Sequence, residues 1–189
     1  MKSVKELVTE LCPDGVRYVT LKEVATIGTG SSNRNESTSE GVYPFYVRSK
    51  DVRRIDTYEF DETAIVIPGE GGVGEIFHFV EGKYALHQRA YRISFRDDRI
   101  LPKFAYYYLK ADFKVFIKAK AVDGTVTSIR KPMIEDFRIP VPPLPVQQEI
   151  VRILDKFTRL EEEIEAELIA RKSQLEHYRK QLLTFKESE

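Results

Sequence analysis

The stretch Pro142–Phe185 governs the fold, and it reads PPLPVQQEIVRILDKFTRLEEEIEAELIARKSQLEHYRKQLLTF. After Pro145 it contains neither proline nor glycine, and good helix formers such as Leu, Glu, Lys and Gln dominate it. Its apolar residues recur at spacings of three, four and seven, which places them on one stripe of a helix. The stretch therefore predicts one α-helix of about forty residues and roughly 60 Å, with Pro145 in its first turn.

A helix of this length exceeds the diameter of a domain built from the preceding residues, so it cannot bury its whole apolar stripe on that domain. The stripe therefore predicts a partner helix. Arg171 and Lys172 interrupt the stripe, so it is not a perfect heptad seam. The residues predicted to form the helix–helix contact are Leu154, Phe157, Ile164, Leu168, Leu175 and Leu182.

The composition is that of a protein with a hydrophobic core. The chain has 189 residues, of which 42% are hydrophobic and 32% charged, enough for one domain and an appendage. No apolar run approaches the roughly 18 residues of a membrane span, and the N-terminal residues are too charged for a secretory signal. A single cysteine, Cys12, excludes an internal disulfide and a cysteine-based zinc site. We therefore expect a cytoplasmic protein without a membrane partner.

The charge balance argues against binding by bulk electrostatics. The formal net charge is zero, unlike that of a strongly basic protein that binds nucleic acid without sequence preference. Any contact with phosphates must come from local patches. The clearest patch is Val47–Arg54, which reads VRSKDVRR.

The residues before the double proline Pro142–Pro143 predict an α+β fold. Helices are expected at 3–11 and Pro102–Lys120, with a twisted, partly barrel-like sheet between them. The predicted strand-like runs are Val16–Leu21, Tyr43–Val47, Thr63–Ile67, Glu75–Val80, Lys83–Phe95 and Met133–Val141. The double proline divides a globular domain, 1–141, from the long helix, 142–189.

Three polar or glycine-rich segments are open to a structural or a functional interpretation. Gly28–Glu40 is a solvated connector or a ligand-contacting loop. Gly69–Gly74 matches G-x-G-x-x-G, a nucleotide-binding motif that needs a helix after it. A strand is predicted there instead, so we expect the glycines to allow close approach of another backbone or a ligand rather than to bind a nucleotide. His87, Gln88 and Arg89 form a polar strand edge or read base edges. The aromatic residues of Pro102–Lys120 are expected in the core rather than on a base-stacking surface.

Catalytic motifs are missing from the sequence. His78, His87 and His177 have no metal-ligand spacing, and Val141–Leu144 lacks the Asn or Asp of an amino-methyltransferase motif. Binding is therefore favoured over catalysis. An enzyme that uses Glu70, Glu75 and His87 remains the weakest alternative, because their spacing does not argue for acid–base chemistry.

Three neighbouring segments carry a resemblance to a known family. They are Gly124–Pro132 (GTVTSIRKP), Ile134–Pro140 (IEDFRIP) and Val141–Asp155 (VPPLPVQQEIVRILD). Together they resemble the junction between a target-recognition domain and the long helix in specificity subunits of type I restriction–modification systems. Cys12–Val16 and Ala85–Ala90 are also similar to that family, whereas 30–120 matches only in outline.

The resemblance implies a half-length subunit, with one recognition domain and one helix where the family has two of each. Such a chain would pair with a copy of itself and read an inverted repeat in double-stranded DNA. It would recruit modification subunits, which methylate adenine with S-adenosylmethionine, and restriction subunits with an ATP-driven motor. It would carry no catalysis and no cofactor of its own, so S-adenosylmethionine, ATP and Mg²⁺ are expected only in the partner subunits.

Residue type and loop position, rather than a family motif, select the candidate DNA contacts. Arg48, Lys50, Arg53 and Arg54 are expected to hold phosphates. Base-edge contacts are expected from Ser31, Asn33, Gln88, Arg89, Thr127 and Ser128, with Arg130 and Lys131 as further DNA contacts. The alternative is a protein-interaction adaptor that does not bind DNA and docks through its long helix, and the near-zero net charge slightly favours it.

Overall fold

The computed structural model describes residues 2–120 and 128–185. Its helices are α1 (Val4–Leu11), α2 (Leu21–Val24), α3 (Pro102–Lys120), α4 (Lys131–Glu135) and α5 (Leu144–Leu182). Its strands are β1 (Tyr18–Thr20), β2 (Ala25–Thr29), β3 (Tyr43–Tyr46), β4 (Arg53–Ile55), β5 (Phe60–Pro68), β6 (His78–Leu86), β7 (Ala90–Phe95) and β8 (Arg138–Pro140). This is the predicted α+β fold followed by one long helix.

The main sheet is mixed and strongly coiled. Its order is β2-β7-β5-β6-β3-β4, and β3 runs parallel to β6 while the other neighbours are antiparallel. The end of β6 pairs with the start of β5, whereas the start of β7 pairs with the end of β5. Only three residues connect the end of β6 to the start of β7. The sheet must coil to bring those two ends together. A bridge between Ser32 and His87 links the β2 edge to β6, but the sheet is not closed into a barrel.

The hydrophobic core lies between α3 and one face of this sheet. Leu109, Phe113 and Ile117 of α3 are buried in one cluster with Ile65 and Ile67 of β5. The intervening residues of β5 are buried on the opposite face, in a second cluster with Tyr84 and Leu86. Burial on both faces explains why β5 reads as a continuous apolar run. The prediction that aromatic residues of α3 belong to the core is confirmed for Phe104 and Phe113, which are buried.

The start of α5 is tied into the globular part of the chain by Gln147. This side chain is fully buried. Its Nε2 donates to the carbonyl oxygens of Arg99 and Pro142, each at 2.7 Å, and its Oε1 accepts from the amide of Leu101 at 2.8 Å. Contacts divide the chain into the units Met1–Val151 and Arg152–Glu189, so the first two turns of α5 belong to the first unit. The functional division at Val141 stays a prediction.

Three strand predictions are wrong in their extent. Met133–Val141 is not one strand, because the short helix α4 begins at Lys131 with Pro132 in its first turn, and the strand β8 starts only at Arg138. The fixed φ of proline suits the first turn of a helix. Lys83–Phe95 is interrupted at His87, whose carbonyl oxygen accepts from the amide of Ala90 at 2.9 Å in a tight turn. Glu75–Val80 joins a strand only from His78 onward.

Candidate functional site

Five segments converge at the end of the coiled sheet, and we call them the loop cluster. They are 30–33 after β2, 47–51 after β3, 69–74 after β5, 87–89 between β6 and β7, and 128–130 before α4. Backbone contacts join them: Ser32 bridges to His87 and Glu70 to Ser128, and the amide of Gly69 donates to Arg89 at 2.9 Å. The cluster is therefore a set of loops held by hydrogen bonds rather than separate connectors.

Glu70 lies at the centre of the loop cluster. Its Oε1 accepts hydrogen bonds from Nη1 of Arg89, at 2.9 Å, and from Nη1 of Arg48. The hydrogen bond from Arg89 and the positive charges of Arg89 and Arg48 hold the pKa of Glu70 below its usual value. The carboxylate is therefore ionised at neutral pH, and two predicted DNA contacts are paired with a negative charge in the free chain.

The segment 30–33 is anchored by Glu59. The Glu59 carboxylate accepts hydrogen bonds from the backbone amides of Ser31 and Ser32, at 2.8 and 3.2 Å, and from both serine hydroxyls. Gly30 packs against the backbone of Leu86, where an added Cβ would lie 1.8 Å from the carbonyl oxygen. Only glycine permits this approach, so the polar loop and the turn after β6 are built against each other.

The turn at 87–89 is buried on one side and exposed on the other. His87 is buried, its amide donates to Tyr46 at 2.9 Å, and its Nδ1 accepts from the amide of Arg89 at 3.0 Å. Burial, and then the nearby charges of Arg48 and Arg89, lower the pKa of His87. The imidazole is therefore neutral at pH 7 and serves as an acceptor. Gln88 points to the other side of the turn, where its Nε2 donates to Oδ1 of Asn33.

Two shallow depressions flank Glu70. The first, of about 190 Å³, is lined by Arg34, Arg48, Ser49 and His87 among others. The second, of about 250 Å³, is lined by Gln88, Arg89, Ser128 and Arg130 among others. Glu70 contributes to both linings, and each depression presents two arginines. The surface offers donors in several orientations around one central carboxylate.

The structure gathers most, but not all, of the predicted DNA contacts. Lys50 belongs to the segment 47–51, and Thr127 lies outside the described residues. Ser31, Asn33, Arg48, Lys50, Gln88, Arg89, Ser128 and Arg130 lie in the loop cluster. Whether any of these residues touches DNA stays a prediction.

Three predicted contacts lie elsewhere. Arg53 and Arg54 are on β4, the edge strand, where Arg53 donates to the Ser37 hydroxyl at 3.1 Å. Lys131 begins α4 and pairs with Glu135 at 3.7 Å. The patch Val47–Arg54 is thus divided, because its first half follows β3 as a loop and its second half enters the sheet.

Two carboxylates that hold the loop cluster together, Glu70 and Glu59, are not among the residues that the sequence predicts for it. Glu70 carries no local signal of its arginine pairing, because Arg48 and Arg89 lie 22 and 19 positions away in the chain. Glu59 carries no local signal, because its partners Ser31 and Ser32 are brought to it by the coiling of the sheet. Glu75 is ion-paired with Lys114 of α3 at 2.7 Å and belongs to neither depression.

The second unit of the chain is the rest of α5. Within it the residues predicted for the helix–helix contact are largely exposed, from 52% for Leu168 to 69% for Leu182, and Leu154 is half-buried. Arg171 pairs with Glu167 of its own helix at 2.8 Å. The apolar stripe is thus uncovered in the single chain.

Residues 2–120 and 128–185 contain no group of His, Cys, Asp or Glu side chains arranged to hold a metal ion. In the same residues, none of the helices is long and apolar enough to cross a membrane.

Comparison with known proteins defines the class. Residues 13–171 match the family described as the type I restriction modification DNA specificity domain, and the chain belongs to that family. It is 29% identical over 169 residues to the EcoDI specificity subunit of Escherichia coli, covering 89% of this chain and 37% of that subunit. The specificity subunit of a second Escherichia coli type I restriction enzyme is 41% identical over 98 residues, or 49% of this chain and 24% of its own.

A solved structure confirms the fold. The specificity subunit of a type I restriction–modification system from M. genitalium superposes with a TM-score of 0.70 at 19% identity, covering 90% of this chain and 47% of that one. This chain spans less than half the length of these relatives.

Proposed function

We propose that this chain is a DNA-recognition subunit that reads a short half-site of duplex DNA through the loop cluster. The observation that carries the proposal is the convergence of Asn33, Gln88, Ser128 and four arginines from segments that are far apart in sequence. Amide and hydroxyl groups beside guanidinium groups are the side chains that read base edges and hold phosphates. Membership of the specificity-domain family supports the same function.

The chain acts as a symmetric dimer joined by α5. An exposed apolar stripe on a long helix is stable in water when a second helix covers it, and another copy of the same helix offers a matching stripe. Two-fold symmetry then places two identical recognition domains on DNA, so the target is an inverted repeat with a fixed spacer. A homodimer would restore the two recognition domains that the longer relatives are expected to hold.

The dimer supplies recognition, and partner subunits supply chemistry. Modification subunits bind S-adenosylmethionine and methylate adenine, and restriction subunits use ATP and Mg²⁺. The absence of catalytic motifs from the sequence supports this division. The chain itself is not an enzyme in this proposal.

A protein-interaction adaptor is the second candidate. The zero formal net charge and the neutralisation of Arg48 and Arg89 by Glu70 favour it, because both weaken attraction to phosphates. In this alternative the globular domain, 1–141, binds protein and α5 docks into a helical bundle.

Selection from a random duplex library tests the proposal directly. The full chain is incubated with the modification subunit and the library, and bound DNA is sequenced over repeated rounds. We expect enrichment of a bipartite motif whose two halves are inverted copies. An asymmetric bipartite motif would contradict self-pairing but keep DNA recognition. No enriched motif would reject DNA recognition and favour the adaptor.

A further inference from the structure

Glu70 pairs with two of the arginines that the loop cluster would otherwise present to DNA, Arg48 and Arg89. Its Oε1 accepts from both Arg48 and Arg89, so one carboxylate oxygen holds two guanidinium groups. These arginine side chains remain 41% and 60% exposed, and that of Glu70 is 33% exposed. A ligand can therefore reach all three without unfolding the loops.

The backbone that carries the Glu70 side chain is held by contacts on both sides. The amide of Gly69 donates to Arg89 at 2.9 Å, and Glu70 itself bridges to Ser128. Its side chain contributes to both depressions, so it lies between Arg48 in one and Arg89 in the other. Any DNA that reaches either arginine also meets Glu70.

Phosphates and base edges differ in what they offer this arrangement. A phosphate is a rival acceptor for the arginines and repels the carboxylate, so binding through the backbone alone leaves Glu70 without a partner. A cytosine presents its N4 amine in the major groove, and a carboxylate is a preferred acceptor for that amine. Glu70 can thus lose its arginines without remaining unpaired where a base-edge amine is correctly placed, and the cytosine N4 amine is the one that a carboxylate prefers over the adenine N6 amine.

We propose that Glu70 is a specificity-determining residue that exchanges Arg48 and Arg89 for a cytosine amine on target DNA and keeps both arginines from non-target DNA. This inference rests on the proposed function. Glu70 would lower the affinity for non-target DNA and also raise the affinity for the target. Both effects increase specificity, because specificity is the difference between the two binding free energies.

Fluorescence anisotropy with two duplexes tests the inference. One duplex carries the motif obtained by selection with the wild-type chain, and the other has the same bases in shuffled order. For Glu70→Ala we expect about tenfold weaker binding to the target, from loss of one base contact. On the shuffled duplex we expect tighter binding and a steeper salt dependence by about one to two logarithmic units per decade of salt, because two arginines become free for phosphates.

Two further variants keep the test specific. Glu10→Ala removes another exposed ion-paired glutamate, the partner of Lys2 next to α1, and should change either affinity less than about twofold, as expected for a surface pair. In an Arg48→Ala, Arg89→Ala background, Glu70→Ala should no longer tighten binding to the shuffled duplex.

Three results would overturn the inference. Glu70→Ala could leave binding to the shuffled duplex unchanged, or could tighten binding to the target and the shuffled duplex in parallel. It could also tighten binding to the shuffled duplex equally in the Arg48→Ala, Arg89→Ala background. A wild-type chain that prefers no duplex would instead overturn the proposed function.

Discussion

The side-chain amide of Gln88 donates a hydrogen bond to Oδ1 of Asn33, a residue 55 positions earlier in the chain. Both residues are predicted to read base edges, and they belong to different segments of the loop cluster. The contact means that neither amide is oriented independently of the other. Their contributions to recognition should therefore be coupled.

We predict that Asn33→Ala and Gln88→Ala each weaken binding to the selected target about tenfold, while the double variant loses less than the product of the two. The first substitution removes a base contact and also the acceptor that orients Gln88. Anisotropy titrations at one salt concentration provide the four affinities. Losses that multiply would show that the two amides act separately.

The apolar stripe of α5 gives a matched test of self-pairing. Ile164 lies on the stripe and Ile169 lies about a third of a turn off it, yet they are 67% and 69% exposed in the single chain. We predict that Ile164→Lys converts the dimer to a monomer at micromolar concentration, because a buried ammonium in the seam is costly. Ile169→Lys should leave the dimer intact. Light scattering provides the mass, and a monomeric wild-type chain would contradict the prediction.

Gln147 is predicted to contribute strongly to stability. Gln147→Leu removes three buried hydrogen bonds and leaves the amide of Leu101 and the carbonyl oxygens of Arg99 and Pro142 without that partner. We expect a loss of about 2–4 kcal/mol in the free energy of unfolding. Gln148→Leu makes the same change at an exposed position of the same helix and should cost less than about 0.5 kcal/mol. Urea titrations at one protein concentration compare the two, and equal losses would rule out the role given to Gln147.

A buried imidazole, His87, and a half-buried one, His78, predict a pH dependence. Burial lowers the pKa of both His78 and His87 below the ordinary value of 6.5. As the pH falls from 7.5 to 5.5, the unfolded chain therefore binds protons before the folded chain does, and the free energy of unfolding decreases. His78→Gln combined with His87→Gln should flatten this decrease.

His177→Gln provides the control for that experiment, because its ring is exposed on α5 in the folded chain. Urea titrations at several pH values measure the slope for each variant. A wild-type chain whose stability is constant, or rises, as the pH falls over this range would argue against the sign derived from His78 and His87.

Local sequence patterns predict the long helices, but they do not predict that the segments of the loop cluster lie together. The predicted range of α3 matches its observed bounds, because Pro102 begins it and its apolar residues repeat with helical spacing. The apolar residues of Met133–Val141 fit a strand or a helix over so few positions, so the local pattern predicts a strand where the structure has α4 and then β8. The pairing of Glu59 with Ser31 and Ser32 depends on the coiling of the sheet, which no local pattern reports.

The bridges within the loop cluster also limit how its recognition can be re-engineered. Ser32 is joined to His87 and Glu70 to Ser128, so an exchanged loop brings new side chains but loses the hydrogen bonds that shape its neighbours. A graft of 30–33 alone would also have to reproduce the approach of Gly30 to Leu86. The transplantable unit is therefore the whole set of segments with their supporting strand ends, and a change of target requires their inheritance as one block.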